Sequence, residues 1–194
     1  MVRWVRLTAI RRSAIIHTSK RRGRFNVMLP VLRGFLFVII LAGMGDAGAY
    51  GAETSGLPLP RFVSLRSDEV NLRTGPGVRY PVDWIYTRRE MPVEVIAEFE
   101  AWRKIRDWQG TEGWVHQSML SARRMAVVIG PQQRKLRAEP DEKSPALAVL
   151  DANVMGRLMS CPKDKTYCRV DIENIQGWLK RDEFWGVYSG EYIE

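Results

Sequence analysis

Two histidines and two cysteines are all that this 194-residue chain offers for metal or nucleophile chemistry beyond its carboxylates and hydroxyls. His17 lies near the start and His116 in the body, while Cys161 and Cys168 are seven positions apart. A His/Cys zinc site takes three or four ligands at set spacings, which the body does not supply. No metal or cofactor is therefore expected. A Cys–His nucleophile pair would need His116 beside Cys161 or Cys168, but so close a cysteine pair reads better as a disulfide. His116 also has no acidic or nucleophilic neighbour in its own motif that would make it a general base. Asp68, Glu69, Glu94, Glu98 and Glu100 could in principle furnish a glycosidase pair, which needs a defined separation across a cleft. Nothing in the spacing fixes one, and a solvated strand face accounts for them better. The expectation is a protein without catalytic residues.

The elements that would carry these side chains come in two copies. Asn71-Leu72-Arg73 matches Lys135-Leu136-Arg137, Pro76 matches Pro140, Pro81 matches Pro145, and Gly113-Trp114 matches Gly177-Trp178, every pair being 64 residues apart. Self-similarity at a fixed offset marks a duplicated unit. The copies run over 62–122 and 126–185, and the boundary falls near Ala122–Met125. Residues 50–61, with Gly, Ser, Thr and two prolines, read as a linker.

Both copies read as short strands. Val93, Val95, Ala97 and Phe99 alternate with Glu94, Ile96, Glu98 and Glu100, a period of two with one flaw at Ile96. The next strand, Trp102 to Trp108, follows a tight turn near Glu100-Ala101. The counterparts in copy two are Val154–Cys161 and Tyr167–Ile172. Parity puts Trp102, Lys104, Arg106 and Trp108 on one face with Ile105 on the other. It likewise separates Tyr167, Arg169 and Asp171 from Cys168, Val170 and Ile172. In Arg73-Thr74-Gly75-Pro76-Gly77, Pro76 and Gly77 suit a type II turn with positive φ at Gly77; Pro140-Asp141 would make the same bend as type I. No segment of the body has a long 3.6 period. Short strands between Gly/Pro turns imply small closed barrels, which remove open sheet edges by curling. The fold class is thus all-β, as two tandem barrels.

Charge locates the leader. Residues 1–49 hold nine Lys/Arg and one acid, whereas residues 50–194 hold 21 of each, so the whole formal excess of +8 lies at the N-terminus. A neutral body argues against nucleic acid, whose phosphates need uncompensated cations. Residues 34–45 are the most apolar run; as a helix they span about 18 Å, short of a ~30 Å hydrocarbon core. Arg33 precedes the run and Ala47-Gly48-Ala49 follows it. A basic stretch, a short apolar run and an A-x-A site describe a signal peptide, with Met28 as the start that gives it ordinary length. Cleavage after Ala49 would leave an exported, periplasmic protein beginning at Tyr50; an uncleaved anchor is the alternative, opposed by Pro30 and Arg33. Export makes the cysteine reading specific. Cys161 ends one strand and Cys168 begins the next, so a short antiparallel hairpin places them within disulfide range, in a compartment where such bonds persist.

Val70-Asn71-Leu72-Arg73-Thr74-Gly75-Pro76-Gly77, Tyr80-Pro81-Val82, Trp102 with Ile105-Arg106, Gly110 and Gly113-Trp114-Val115 together resemble the bacterial SH3 domain pattern. Copy two, over 123–190, keeps Leu136-Arg137, Pro140, Val170 and Gly177-Trp178-Leu179 but has lost the loop glycines. Copy one has Glu90-Met91-Pro92 where the family usually has a glycine. The resemblance implies tandem SH3-like barrels that bind peptidoglycan or other envelope components. Tyr80 and Trp84, beside the Gly-Pro loop, and Trp102 and Trp108, on the strand, are the candidate ligand-binding residues, since aromatic walls hold extended peptides in SH3-type grooves. Trp102 can equally be plain barrel cover, and Trp114 and Trp178 can be a ligand shelf or part of barrel closure. The function expected is a non-catalytic exported binding module for peptidoglycan or an envelope peptide. An envelope hydrolase and a purely structural envelope partner are the alternatives, and membrane contact is expected only through an uncleaved leader.

Overall fold

The tripeptides that repeat at an offset of 64 sit at the same place in two sheets of the same design. A computed structural model describes residues 54–194 and the short strand β1 (Val5–Leu7). β1 falls within the leader; the rest of the leader, with its apolar run, the Met28 start and the cleavage after Ala49, lies outside the described residues. The first copy forms β2 (Arg61–Leu65), β3 (Val70–Arg73), β4 (Val82–Tyr86), β5 (Pro92–Phe99), β6 (Trp102–Arg106), β7 (Glu112–His116) and β8 (Leu120–Ser121). They lie in the order β4-β3-β7-β6-β5-β2-β8. The second forms β9 (Met125–Val128), β10 (Arg134–Arg137), β11 (Ala146–Leu150), β12 (Met155–Ser160), β13 (Tyr167–Ile172), β14 (Ile175–Lys180) and β15 (Phe184–Trp185). Their order, β11-β10-β14-β13-β12-β9-β15, repeats the first strand for strand, with β1 added parallel to β11. Each sheet encloses its own core: Leu65, Val70, Leu72, Val93, Val95, Ile105 and Val115 in the first, and Ala148, Leu150, Leu136, Val170, Ile172 and Leu179 in the second.

The Gly-Trp pairs are explained from their glycines. A Cβ on Gly113 would stand 2.5 Å from Leu72 Cγ, and one on Gly177 would stand 2.6 Å from Leu136 Cγ. In both copies the bare glycine lets the repeated leucine pack across the sheet, while the tryptophan turns to the outer face. The close approach of β7 to β3 and of β14 to β10 therefore depends on Gly and Leu.

The duplicated bend also survives with altered residues. Thr74 N–H donates to Pro81 O at 3.1 Å and Ala138 N–H to Pro145 O at 3.0 Å; Tyr80 N–H donates to Gly77 O and Ser144 N–H to Asp141 O, both at 3.2 Å. The type II expectation fails, because Gly77 does not take positive φ. The loop glycines make room instead: a Cβ on Gly75 would lie 2.4 Å from the Tyr80 ring. Positive φ occurs where the family usually has glycine before the second long strand, at Glu90 (φ 61), and at Asn153 (φ 66) in copy two.

Cys161 and Cys168 are joined, with Cα atoms 4.3 Å apart, and both are fully buried. On its other side Cys161 exchanges two backbone hydrogen bonds with Ile193, at 2.8 and 3.1 Å. The C-terminal tail is thus sewn to the disulfide hairpin, and ordered structure continues past residue 185. Arg124 grips the same tail through both oxygens of Glu191, at 2.6 and 3.0 Å. The tail then delivers Tyr188 to the first barrel, where its ring packs 4.6 Å from Phe62 and its hydroxyl donates to Glu94 Oε1 at 2.8 Å. Phe62 meets Trp185 edge-on at 4.7 Å, and the Arg124 guanidinium lies 5.6 Å from its ring. Met155 packs against the first core, and Arg88 donates to Asn153 O at 3.0 Å.

Gly113→Ala and Gly177→Ala should each destabilise the protein by about 1–3 kcal/mol, the usual cost of overpacking. Denaturant unfolding of each variant checks this; an unchanged midpoint would mean that the strands do not approach so closely.

Candidate functional site

The flaw at Ile96 in the alternation of β5 is a bulge, and it decides which residues face outward. Register shifts between Val95 and Ala97. Val95 lies opposite Ile105 and both are buried, but beyond the bulge Phe99 lies opposite Trp102 and Glu98 opposite Arg103. An extra residue in one strand flips the parity of all that follows. Phe99 is thereby turned to the outer face, where Trp102 is in turn opposite His116. A second row crosses five strands: Ala97, Lys104, Trp114, Arg73 and Val82. The outer face of β5, β6 and β7 thus carries Phe99, Trp102 and Trp114.

His116 is occupied structurally. Its ring meets Trp102 edge-on at 5.5 Å. Its Nδ1 accepts Ser118 N–H at 3.3 Å and lies 2.7 Å from Ser118 Oγ, capping the single 3-10 turn Gln117–Met119.

The four candidate aromatics do not form one wall. Trp102 is half-buried on the outer face. Trp108 leaves that face: β6 ends at Arg106, Asp107 turns inward, and Trp108 packs against the first core. Tyr80 is folded onto Gly75 and Gly77, with the Arg79 guanidinium 5.3 Å from its ring. Arg73 fixes this loop by donating to Val78 O at 3.1 Å and Tyr80 O at 2.7 Å. Trp84, on the edge strand β4, is exposed. Its neighbours add what the aromatic count missed: Val78, Val82 and Ile85 are exposed too. No period marks these residues, because they lie in a loop and a five-residue strand interrupted by a bulge at Asp83. The 64-residue offset would have found them. Copy two has Glu142, Ser144, Ala146, Ala148 and Val149 where copy one has Val78, Tyr80, Val82, Trp84 and Ile85. In copy two the aromatic expected on the outer face, Tyr167, is buried instead, with Lys180 Nζ 5.9 Å from its ring.

Of the carboxylates, Asp68, Glu69 and Glu100 are solvated as expected, but Glu94 and Glu98 are not. Glu94 is buried and receives Arg106 through Nε at 3.0 Å and Nη2 at 2.6 Å, besides the Tyr188 hydroxyl. Burial, then this bond to Glu94, raises the Tyr188 hydroxyl above its ordinary value. Glu98 Oε2 accepts Ser55 N–H and Oε1 accepts Ser55 Oγ–H, both at 2.7 Å; Arg61 Nη2 donates to Oε1 at 2.5 Å and Arg103 Nε lies 3.1 Å away. Part of the expected linker is therefore tied to the barrel. Burial opposes the charge of Glu98, yet the Ser55 and Arg61 hydrogen bonds and the charge of Arg103 outweigh it and bring its carboxyl down to about 2. Asp107 accepts from the buried Tyr86 hydroxyl at 3.1 Å, and burial followed by that charge raises the tyrosine. Among the described residues, no three His, Cys, Asp or Glu side chains converge on a metal position. The geometry can hold a ligand against apolar and aromatic surface beside an open strand edge.

Residues 66–122 match the family model described as the bacterial SH3 domain. No curated protein matches the sequence. Among solved structures, NlpC1 of Trichomonas vaginalis is similar over 69% of this chain and 48% of its own, at 12% identity and a TM-score of 0.31. An NlpC/P60 family protein of Bacillus cereus is similar over 64% of this chain and 55% of its own, at 16% identity and a TM-score of 0.29. The chain spans about half the length of these structures.

Because the carboxyl of Glu98 is held near 2, its stabilising contribution is complete above its ordinary value of 4.5 and is lost as pH falls toward 2. Glu98→Gln should therefore lower stability at neutral pH, and the gap to wild type should close over that window in unfolding measurements. A gap independent of pH would contradict this.

Proposed function

Taking its first barrel as the bacterial SH3 domain that residues 66–122 match, we propose that the protein is an exported, non-catalytic binding module of the cell envelope. It holds peptidoglycan or an extended envelope peptide against the first barrel. One observation carries the reading. Four of the eight strongly exposed large apolar side chains among the described residues, Val78, Val82, Trp84 and Ile85, fall in one eight-residue stretch of copy one. Exposed apolar side chains gathered along one loop and one edge strand mark an interaction site. In copy two the equivalent stretch, residues 142–149, has no aromatic residue and no exposed large apolar side chain; Ala146 and Ala148 are buried. Exposed apolar side chains kept along the edge strand of one copy of a duplicated barrel fit a ligand taken by that copy.

Two further features support the reading. His116, Glu94 and Glu98 each have structural partners, as a binding scaffold requires. The buried Cys161–Cys168 bond suits an oxidising compartment, in keeping with the leader.

The test is retention of the protein on purified sacculi, with detergent-solubilised envelope proteins probed in parallel. Replacing both Trp84 and Ile85, as Trp84→Ala with Ile85→Ser, should reduce retention or capture roughly 30-fold, the effect of about 2 kcal/mol at a hot spot. The melting temperature should hold. Undiminished binding by the double variant would overturn the assignment.

A further inference from the structure

β4 and β11 are equivalent edge strands, but only β11 is covered. Each carries a bulge at the same place, Asp83 in β4 and Leu147 in β11, where pairing with the neighbouring strand skips one residue. Beyond its bulge, β11 is paired on its outer side by β1: Val5 opposite Ala148, Arg6 opposite Val149 and Leu7 opposite Leu150. The equivalents in β4 are Trp84, Ile85 and Tyr86, and among the described residues no strand lies beyond them. Trp84 is 38% and Ile85 46% exposed, whereas Ala148 is fully buried.

A strand at the edge of a sheet offers a row of backbone N–H and C=O groups that template another strand. The geometry points to Trp84–Tyr86 as the position where an extended peptide of a partner protein, apolar at alternate residues, adds to the first sheet as β1 adds to the second. This rests on the reading of the first barrel as the binding copy and specifies its ligand. Backbone pairing supplies affinity in such additions, and alternate side chains supply specificity. Trp84 and Ile85 project to opposite sides of β4. An incoming strand thus meets an aromatic wall on one side and a branched aliphatic one on the other. The segment that already occupies the equivalent edge, Val5-Arg6-Leu7, has the matching pattern of apolar residues either side of a polar one. The bulge at Asp83 limits the open ladder to the residues beyond it and so fixes the register of the added strand.

The probe is a synthetic peptide of residues 2–10, Val-Arg-Trp-Val-Arg-Leu-Thr-Ala-Ile, added to the full chain with its leader retained, so that β1 still pairs with β11. Amide hydrogen exchange followed by NMR should slow at least ten-fold within Trp84–Tyr86. Trp84→Ala should weaken binding at least ten-fold. A peptide N-methylated at its second valine and its leucine, which keeps every side chain but loses two backbone donors, should also bind at least ten-fold more weakly. Protection confined to β11, no protection at all, or equal binding of the N-methylated peptide would overturn the proposal. Sacculus retention separates the two readings. If it survives while β4 stays unprotected, only strand addition falls; if retention is also insensitive to Trp84 and Ile85, the binding-copy reading falls with it.

Discussion

Phe62 is the residue on which the arrangement of the two barrels turns. Its ring is buried between Trp185 and Tyr188, below the Arg124 guanidinium, so one side chain of the first barrel is enclosed by three groups of the second. A barrel of about 60 residues buries too little apolar surface to be more than marginally stable alone. A shared aromatic joint of this kind contributes on the scale of a core phenylalanine, whose removal costs about 3–5 kcal/mol. The Tyr188–Glu94–Arg106 chain closes the polar side of the joint, so the buried carboxylate has both a cation and a hydroxyl. Met155 against the first core completes the apolar side.

The disulfide belongs to the same construction. Cys161 is bonded to Cys168 on one side and paired with Ile193 on the other, so the covalent hairpin anchors the strip of chain that carries Tyr188 to the joint. Closing an eight-residue loop is worth about 2.5 kcal/mol in the chain-entropy account. That contribution reaches the first barrel because the tail bridges the two. The second copy has Ala146 and Ala148 where the first has Val82 and Trp84. It packs on the first barrel at Phe62 and through Met155, and among the described residues no strand lies beyond β4.

Much of this was legible in residue types and spacing. The offset of 64 between the Leu-Arg and Gly-Trp pairs located both copies, and a hairpin with a cysteine at each end implied the bond. What escaped has physical causes. One unpaired residue at Ile96 reverses strand parity, so Glu98 turned inward and Phe99 outward, against a simple alternation. Gly77 looked like a turn residue, but its loop needed glycine for the space taken by the Tyr80 ring. Trp108 followed the parity of β6 in sequence, yet the strand ends two residues earlier. The tail beyond Trp185 has no periodicity of its own, and its importance arises from contacts far away in sequence. Of the candidate site, Trp84 and Trp102 are where a ligand can reach them. Val78, Val82 and Ile85 became visible as a set only through their exposure and their contrast with copy two.

The central claim is that the joint at Phe62 makes two marginal barrels into one cooperative unit. Scanning calorimetry of the oxidised protein and of Phe62→Ala tests it most directly. The account predicts a single transition for the parent, with equal calorimetric and van't Hoff enthalpies, and two separated transitions for the variant. Two independent transitions in the parent, or a single transition in Phe62→Ala at an unchanged midpoint, would contradict it.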